Sequence, residues 1–278
     1  MVLDRLPTDR CLVMGVVNVT PDSFSDGGRW LDAGTAVRHG LDLVAAGADL
    51  VDVGGESTRP GALRVDAGEE RRRVLPVVQG LVAEGVTVSV DTMRADIAAE
   101  SLAAGAAIVN DVSGGRADPQ MMSVVAQAGA PVVLMHWREH SAHMQQHTRY
   151  DDLVPDVVRE LGEQVDAAVA AGVPPERIVI DPGLGFSKTG EQNWTVLAHL
   201  EAFTALGHRV LVAASRKRFL GELLADDAGA LRPLDDREAA TAAVTTLCAE
   251  AGTWCVRVHE PAASADAVRV VARRAAAR

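Results

Sequence analysis

Aromatic residues are scarce in this chain: four Phe, four Trp and one Tyr make up 3% of 278 residues. The formal net charge is −11, and an acidic chain with so few aromatic faces has no surface to offer a nucleic acid or an anionic membrane. A local cationic pocket is still allowed. The chain has no run of about 18 apolar residues, so no membrane span is expected. Its N-terminus, M-V-L-D-R-L-P-T-D-R, is charged and lacks the apolar stretch of a signal peptide, which makes the cytoplasm the expected location. Cys11, Cys248 and Cys255 are odd in number and share no C-x-x-C spacing, so a disulfide framework is not expected, and Cys255 reads as a buried thiol in an apolar run.

What the chain has instead is apolar content, 48%, and length enough for a large core. It also has a repeated unit. A helical stretch closes in Ala-Gly or a near variant, and a β-rich apolar run follows that ends in polar residues. The closing glycines are Gly47, Gly85, Gly105, Gly129, Gly172, Gly207 and Gly252. Glycine closes a helix in the left-handed conformation without a Cβ penalty, so each marks a helix stop with a strand after it. One earlier run, Leu12 to Val17, brings the strands to eight. The spacing from Gly47 to Gly252 averages about 34 residues, near the ~31 per unit of a (β/α)8 TIM barrel. An open doubly wound sheet uses the same alternation, but eight strands without a linker, and no G-x-G-x-x-G turn after the first, favour closure into one domain over 1–278. Within the units, Leu153, Val157, Leu161, Val165 and Val169 recur every four residues on one helix face, Asp32 stands as an N-cap, and Pro76 predicts a kink or restart.

A barrel works at the carboxyl ends of its strands. Those ends carry Asn18, Asp52, Asp91, Asn110, His136, Asp181, Ser215 to Lys217, and Arg257 with His259. Asp91, Asn110, Asp181 and Lys217 supply acceptors, an amide and a cation suited to a neutral heterocycle bearing ring N–H and amino groups. Asn18, Arg257 and His259 come from the first and last strands, neighbours in a closed barrel, and suit a phosphate or diphosphate. The Asn18 side-chain oxygen can help hold a hard cation, with Mg²⁺ bridging the anion. Arg257 has a blander reading as the ion-pair partner of Glu260. His136, His140, His143 and His147 cluster at spacings that could ligate zinc, but no acid follows in the H-E-x-x-H manner, and W-R-E-H-S-A-H-M-Q-Q-H after His136 reads as a polar loop. The cations of S-R-K-R-F at Ser215 are expected to serve the pocket, and Glu56 in D-V-G-G-E-S-T-R-P-G reads as a structural acid.

These motifs, M-G-V-V-N-V-T-P-D-S-F-S-D-G-G from Met14, D-V-G-G-E-S-T-R-P-G from Asp52, S-V-D-T, N-D-V-S-G-G from Asn110, D-P-G-L-G-F from Asp181, S-R-K and R-V-H, resemble in order those of the dihydropteroate synthases. The resemblance implies a transferase that joins 4-aminobenzoate to (7,8-dihydropterin-6-yl)methyl diphosphate, requires Mg²⁺, forms a homodimer and is a target of sulfonamides. By the same resemblance Asp91, Asn110, Asp181 and Lys217 hold the pterin, and Asn18, Arg257 and His259 hold Mg²⁺-diphosphate. Asp26 with Thr58, Arg59 and Pro60 would close over the site, and Phe24, Pro60, Phe186 and Lys217 would border the aminobenzoate. One departure from the family pattern is Arg218, where a serine is common.

Overall fold

Each of the seven helix-closing glycines has positive φ, from 63° at Gly129 to 105° at Gly47, so the punctuation read in the sequence is a backbone fact. The computed structural model describes residues 3–20, 33–57, 64–140 and 143–277. Its strands are β1 (Leu12–Asn18), β2 (Leu50–Gly54), β3 (Val88–Asp91), β4 (Ile108–Asp111), β5 (Val132–Met135), β6 (Ile178–Asp181), β7 (Arg209–Val212) and β8 (Cys255–Val258). All pair in parallel and in chain order, and β1 bonds to both β2 and β8, which closes the (β/α)8 barrel. The surrounding helices are α1 (Ala33–Ala45), α2 (Ala67–Ala83), α3 (Ala95–Ala103), α4 (Met121–Ala128), α5 (Leu153–Ala170), α6 (Gly190–Ala198), α7 (Leu200–Thr204), α8 (Arg218–Leu223), α9 (Glu238–Glu250) and α10 (Pro261–Ala275).

Two expectations about helices need correcting. α2 runs through Pro76 as one helix, so of the kink or restart expected there the restart does not occur. Val74, Val77, Val78 and Leu81 on both sides of the proline are fully buried, and that shared apolar face holds the helix together across one missing N–H. On α5 the buried row ends in Ala168, while Val169 is 40% exposed. A four-residue spacing advances about 40° per step on a helix of 3.6 residues per turn, so the row drifts off the face. The Asp32 cap lies outside the described residues.

Strand alternation sorts the apolar residues into two cores. Val13, Val51, Val53, Val90 and Val109 face the helices. Leu12, Leu50, Ile108, Val179, Leu211 and Cys255 fill the barrel itself, and Leu3 and Leu6 close its amino end. Among the described residues no helix is long and apolar enough to cross a membrane.

Candidate active site

The alternation that turns Leu50, Ile108, Val179 and Cys255 inward brings Asp52, Asn110, Asp181 and Arg257, two residues on, to the same interior nearer the carboxyl ends. The barrel thus changes from an apolar plug to a polar floor within one strand step. Asp91, the last residue of β3, joins that floor.

The floor is one hydrogen-bonded unit. Arg257 Nε donates to Asp52 Oδ2 at 2.7 Å and its Nη2 to Asp91 Oδ2 at 3.0 Å, while Asn110 Nδ2 donates to the same Asp52 oxygen at 2.9 Å. The sequence puts Asp91, Asn110 and Arg257 in two groups; Arg257 bonds Asp91 directly, and Asp52 joins Arg257 to Asn110. Asp52 stands among the polar strand ends in the sequence but falls in neither group there, although its parity with Leu50 points it to the same interior. It is fully buried, and its Oδ1 has no hydrogen-bond partner among the described residues.

Several acids gathered around one guanidinium perturb each other. Burial pushes the Asp91 carboxyl up to about 8; Arg257 opposes this, and the charges of Asp52 and Glu70 add to it. Burial also raises Asp181, against Lys217 and the backbone N–H of Gly183, which donates to its Oδ1 at 2.7 Å. Burial works against the charge of Arg257, but Asp52 and Asp91 outweigh it, so the guanidinium stays charged.

The loop after β6 and the turn after β7 form the opposite wall. The Lys217 ammonium donates to the Leu184 carbonyl and stands 4.7 Å above the Phe186 ring; burial lowers its amine to about 8. Phe186 packs with Met93, Val112, Met135 and Met144. The neighbouring cations do not serve the pocket as the sequence suggested. Arg216 has φ 60°, a left-handed turn that sends its side chain outward to Glu238 at 2.8 Å and Glu260 at 3.1 Å, while Arg218 is 76% exposed beside Glu222. Glu260 therefore pairs with Arg216 and not with Arg257. The carbonyl of Arg216 is held by buried Arg237 at 2.8 Å.

On the other side, the His259 backbone N–H donates to Ser215 Oγ at 3.2 Å, and Nδ1 lies 3.0 Å from the same oxygen. Asn18 is half-buried at the end of β1, in register with Gly54. Glu56 is a structural acid, as expected: it is buried and ion-pairs with Arg94 at 3.2 Å and Arg64 at 3.4 Å. His136 is not solvent-facing but fully buried between Glu160 and Lys188. Lys188 is 2% exposed and has no role assigned from the sequence. The expected site residues Phe24, Asp26, Thr58, Arg59 and Pro60 lie outside the described residues.

A closed eight-stranded barrel with acids, an amide and an arginine across its carboxyl-end floor defines a pterin-binding enzyme, and the family model described as pterin binding enzyme matches residues 14–259. A dihydropteroate synthase of Mycobacterium leprae is 58% identical over 260 residues, 93% of this chain and 92% of the relative. A dihydropteroate synthase of Xanthomonas albilineans, solved with 4-aminobenzoic acid, superposes with TM-score 0.88 at 44% identity, covering 97% of this chain and 94% of that one. One of Yersinia pestis, solved with a sulfonamide drug, superposes with TM-score 0.91 at 38% identity, covering 98% and 96%. The chain belongs to the dihydropteroate synthase family.

Proposed function

We propose that this chain, folded as one domain, displaces diphosphate from (7,8-dihydropterin-6-yl)methyl diphosphate with 4-aminobenzoate, in the cytoplasm, by dissociative substitution. The observation that carries this reading beyond family membership is the joined floor of Asp52, Asn110, Asp91 and Arg257. Asp91, Asn110 and Asp181 present acceptors and an amide to the pterin edge, and Lys217 bounds the same pocket. Arg257, released from its acids when the pterin engages them and the diphosphate competes for the guanidinium, offers its fork to the leaving group, with His259 beside it. As the carbon–oxygen bond breaks, positive charge spreads into the pterin, where Asp91 and Asp181 steady it. The amine then attacks a carbon already held in place, and the proton it sheds needs no strong base.

The residues present also fit Mg²⁺. The half-buried Asn18 is a hard oxygen donor at a strand end, and Mg²⁺ is commonly held by few protein groups together with substrate phosphates. When bound it would neutralise charge developing on the diphosphate. Phe186 and Lys217, with Phe24 and Pro60, are assigned to the border of the aminobenzoate, and Asp26, Thr58 and Arg59 to the closure over the site. Sulfonamides are expected to compete at the aminobenzoate border, in line with the drug complex of the relative.

Calorimetry tests the order this mechanism requires: 4-aminobenzoate should bind in the presence of a pterin and Mg²⁺-diphosphate and not alone. Equal binding to the empty protein would contradict it. We also assign a homodimer, because α8, α9 and the segment between them leave Leu223, Leu231, Leu234 and Leu247 exposed. Sedimentation should give twice the chain mass; a monomer at micromolar concentration would rule this out.

A further inference from the structure

Beneath the wall of the pocket lies a lysine that the mechanism above does not use. The Lys188 ammonium is buried and has three donors and three acceptors: His136 Nδ1 at 3.0 Å, the Gly183 carbonyl at 3.2 Å and the Phe186 carbonyl at 3.3 Å. The contact with Nδ1 fixes the imidazole tautomer. His136 accepts from Lys188, so its Nε2–H donates to Glu160 Oε2 at 3.0 Å, and burial, with the Lys188 charge, holds the ring neutral by lowering it to about 3. Glu160 in turn takes Arg138 at 2.9 Å and 2.5 Å, and Arg138 lies 3.7 Å over the ring of Tyr150, whose hydroxyl donates to the Ser187 carbonyl at 2.9 Å. Strand β5, helix α5 and the loop after β6 are thereby tied together by a cation and an anion bridged through a neutral imidazole.

The two carbonyls that Lys188 grips flank Leu184 and Phe186, the residues against which Lys217 rests. We propose that Lys188 is a positioning residue for the arylamine step: its ammonium sets the loop after β6 so that Phe186 and the Leu184 carbonyl hold Lys217 in place. The inference rests on the assignment of Phe186 and Lys217 to the aminobenzoate pocket.

A consequence is a limb near neutrality in the KM of the arylamine that pterin binding does not share. Facing Lys188 are His136 and Arg138 after β5, Glu160 on α5, Asp181 on β6 and Lys217 after β7. Burial dominates and lowers the amine to about 7, with Asp181 and Glu160 supporting its charge and Lys217 and Arg138 opposing it. As pH rises through that value, three acceptors face an amine with two N–H groups, and the loop loses a tie.

The test is the KM of each substrate for wild type, Lys188→Met, Glu160→Gln and Phe186→Ala from about pH 6 to pH 9. Lys188→Met should raise the 4-aminobenzoate KM by about tenfold, leave pterin binding within about twofold, and abolish the limb near neutrality, leaving only that of Lys217. Glu160→Gln removes support for the ammonium and should move that limb to lower pH, a readout available even if Lys188→Met fails to fold. Equal losses for both substrates, or an unmoved limb in Glu160→Gln, would overturn the proposal. If Phe186→Ala leaves the arylamine KM unchanged, the pocket assignment itself is wrong; if it raises KM while Lys188→Met does not, only the role of Lys188 falls.

Discussion

Asp91 is held near neutrality by its surroundings, and that makes it a reporter of pterin binding. In the free protein its carboxyl is raised to about 8, chiefly by burial, so at pH 7 it is largely protonated. A pterin edge that donates N–H groups to it favours the ionised form and lowers this value. Binding below pH 8 therefore releases a proton, and affinity rises with pH until the free group has ionised. Calorimetry at pH 7 in two buffers of different ionisation enthalpy should show release of up to about one proton per pterin, falling toward zero above pH 9 and absent in Asp91→Asn. Proton uptake would reverse the assignment. At this scale the sequence was legible for residues that end strands, such as Asp91 and Asp181. It was less so for Asp52, which stands in mid-strand next to a conspicuous loop. Lys188 was invisible because its burial depends on His136 and Glu160, remote in sequence and brought together only by closure of the barrel.

At the scale of elements, the loop after β6 and the turn after β7 show how backbone conformation selects which side chains work. S-R-K-R-F places adjacent cations in sequence, but one left-handed residue, Arg216, separates them: Lys217 goes inward and Arg216 outward. No composition rule contains that turn. Gly185, across from Lys217, has φ 79°, and a Cβ there would lie 3.0 Å from Lys217 Cδ. Gly185→Ala should therefore cost about 1–2 kcal/mol of stability in a denaturant titration and raise the 4-aminobenzoate KM more than it alters pterin affinity. An alanine variant with unchanged arylamine KM would mean that this close approach does not shape the pocket. Pro76 teaches the converse. Its local propensity predicts a break, and the buried face on both sides overrides it.

Over the whole molecule, the order of apolar and polar layers along the barrel axis is what makes the fold and the site a single design. Seven glycine stops spaced about 34 residues apart, with the apolar run from Leu12 before them, were enough to count eight strands, because helix closure and strand burial are local events. Direction follows from the same pattern, since the apolar runs lead into polar residues at or just past their carboxyl ends. The joining of Asp52, Asn110, Asp91 and Arg257 into one floor is a product of closure and register, and no single segment announces it. The central claim is that this floor drives diphosphate from the pterin so that an arylamine can take its place. Mass spectrometry of purified protein with both substrates and Mg²⁺ tests it most directly, with Arg257→Ala alongside. The account predicts 7,8-dihydropteroate and diphosphate in equal amounts from the wild-type chain, and a loss of at least about a hundredfold in the variant. Absence of dihydropteroate from folded wild-type protein, or full activity without Arg257, would contradict it.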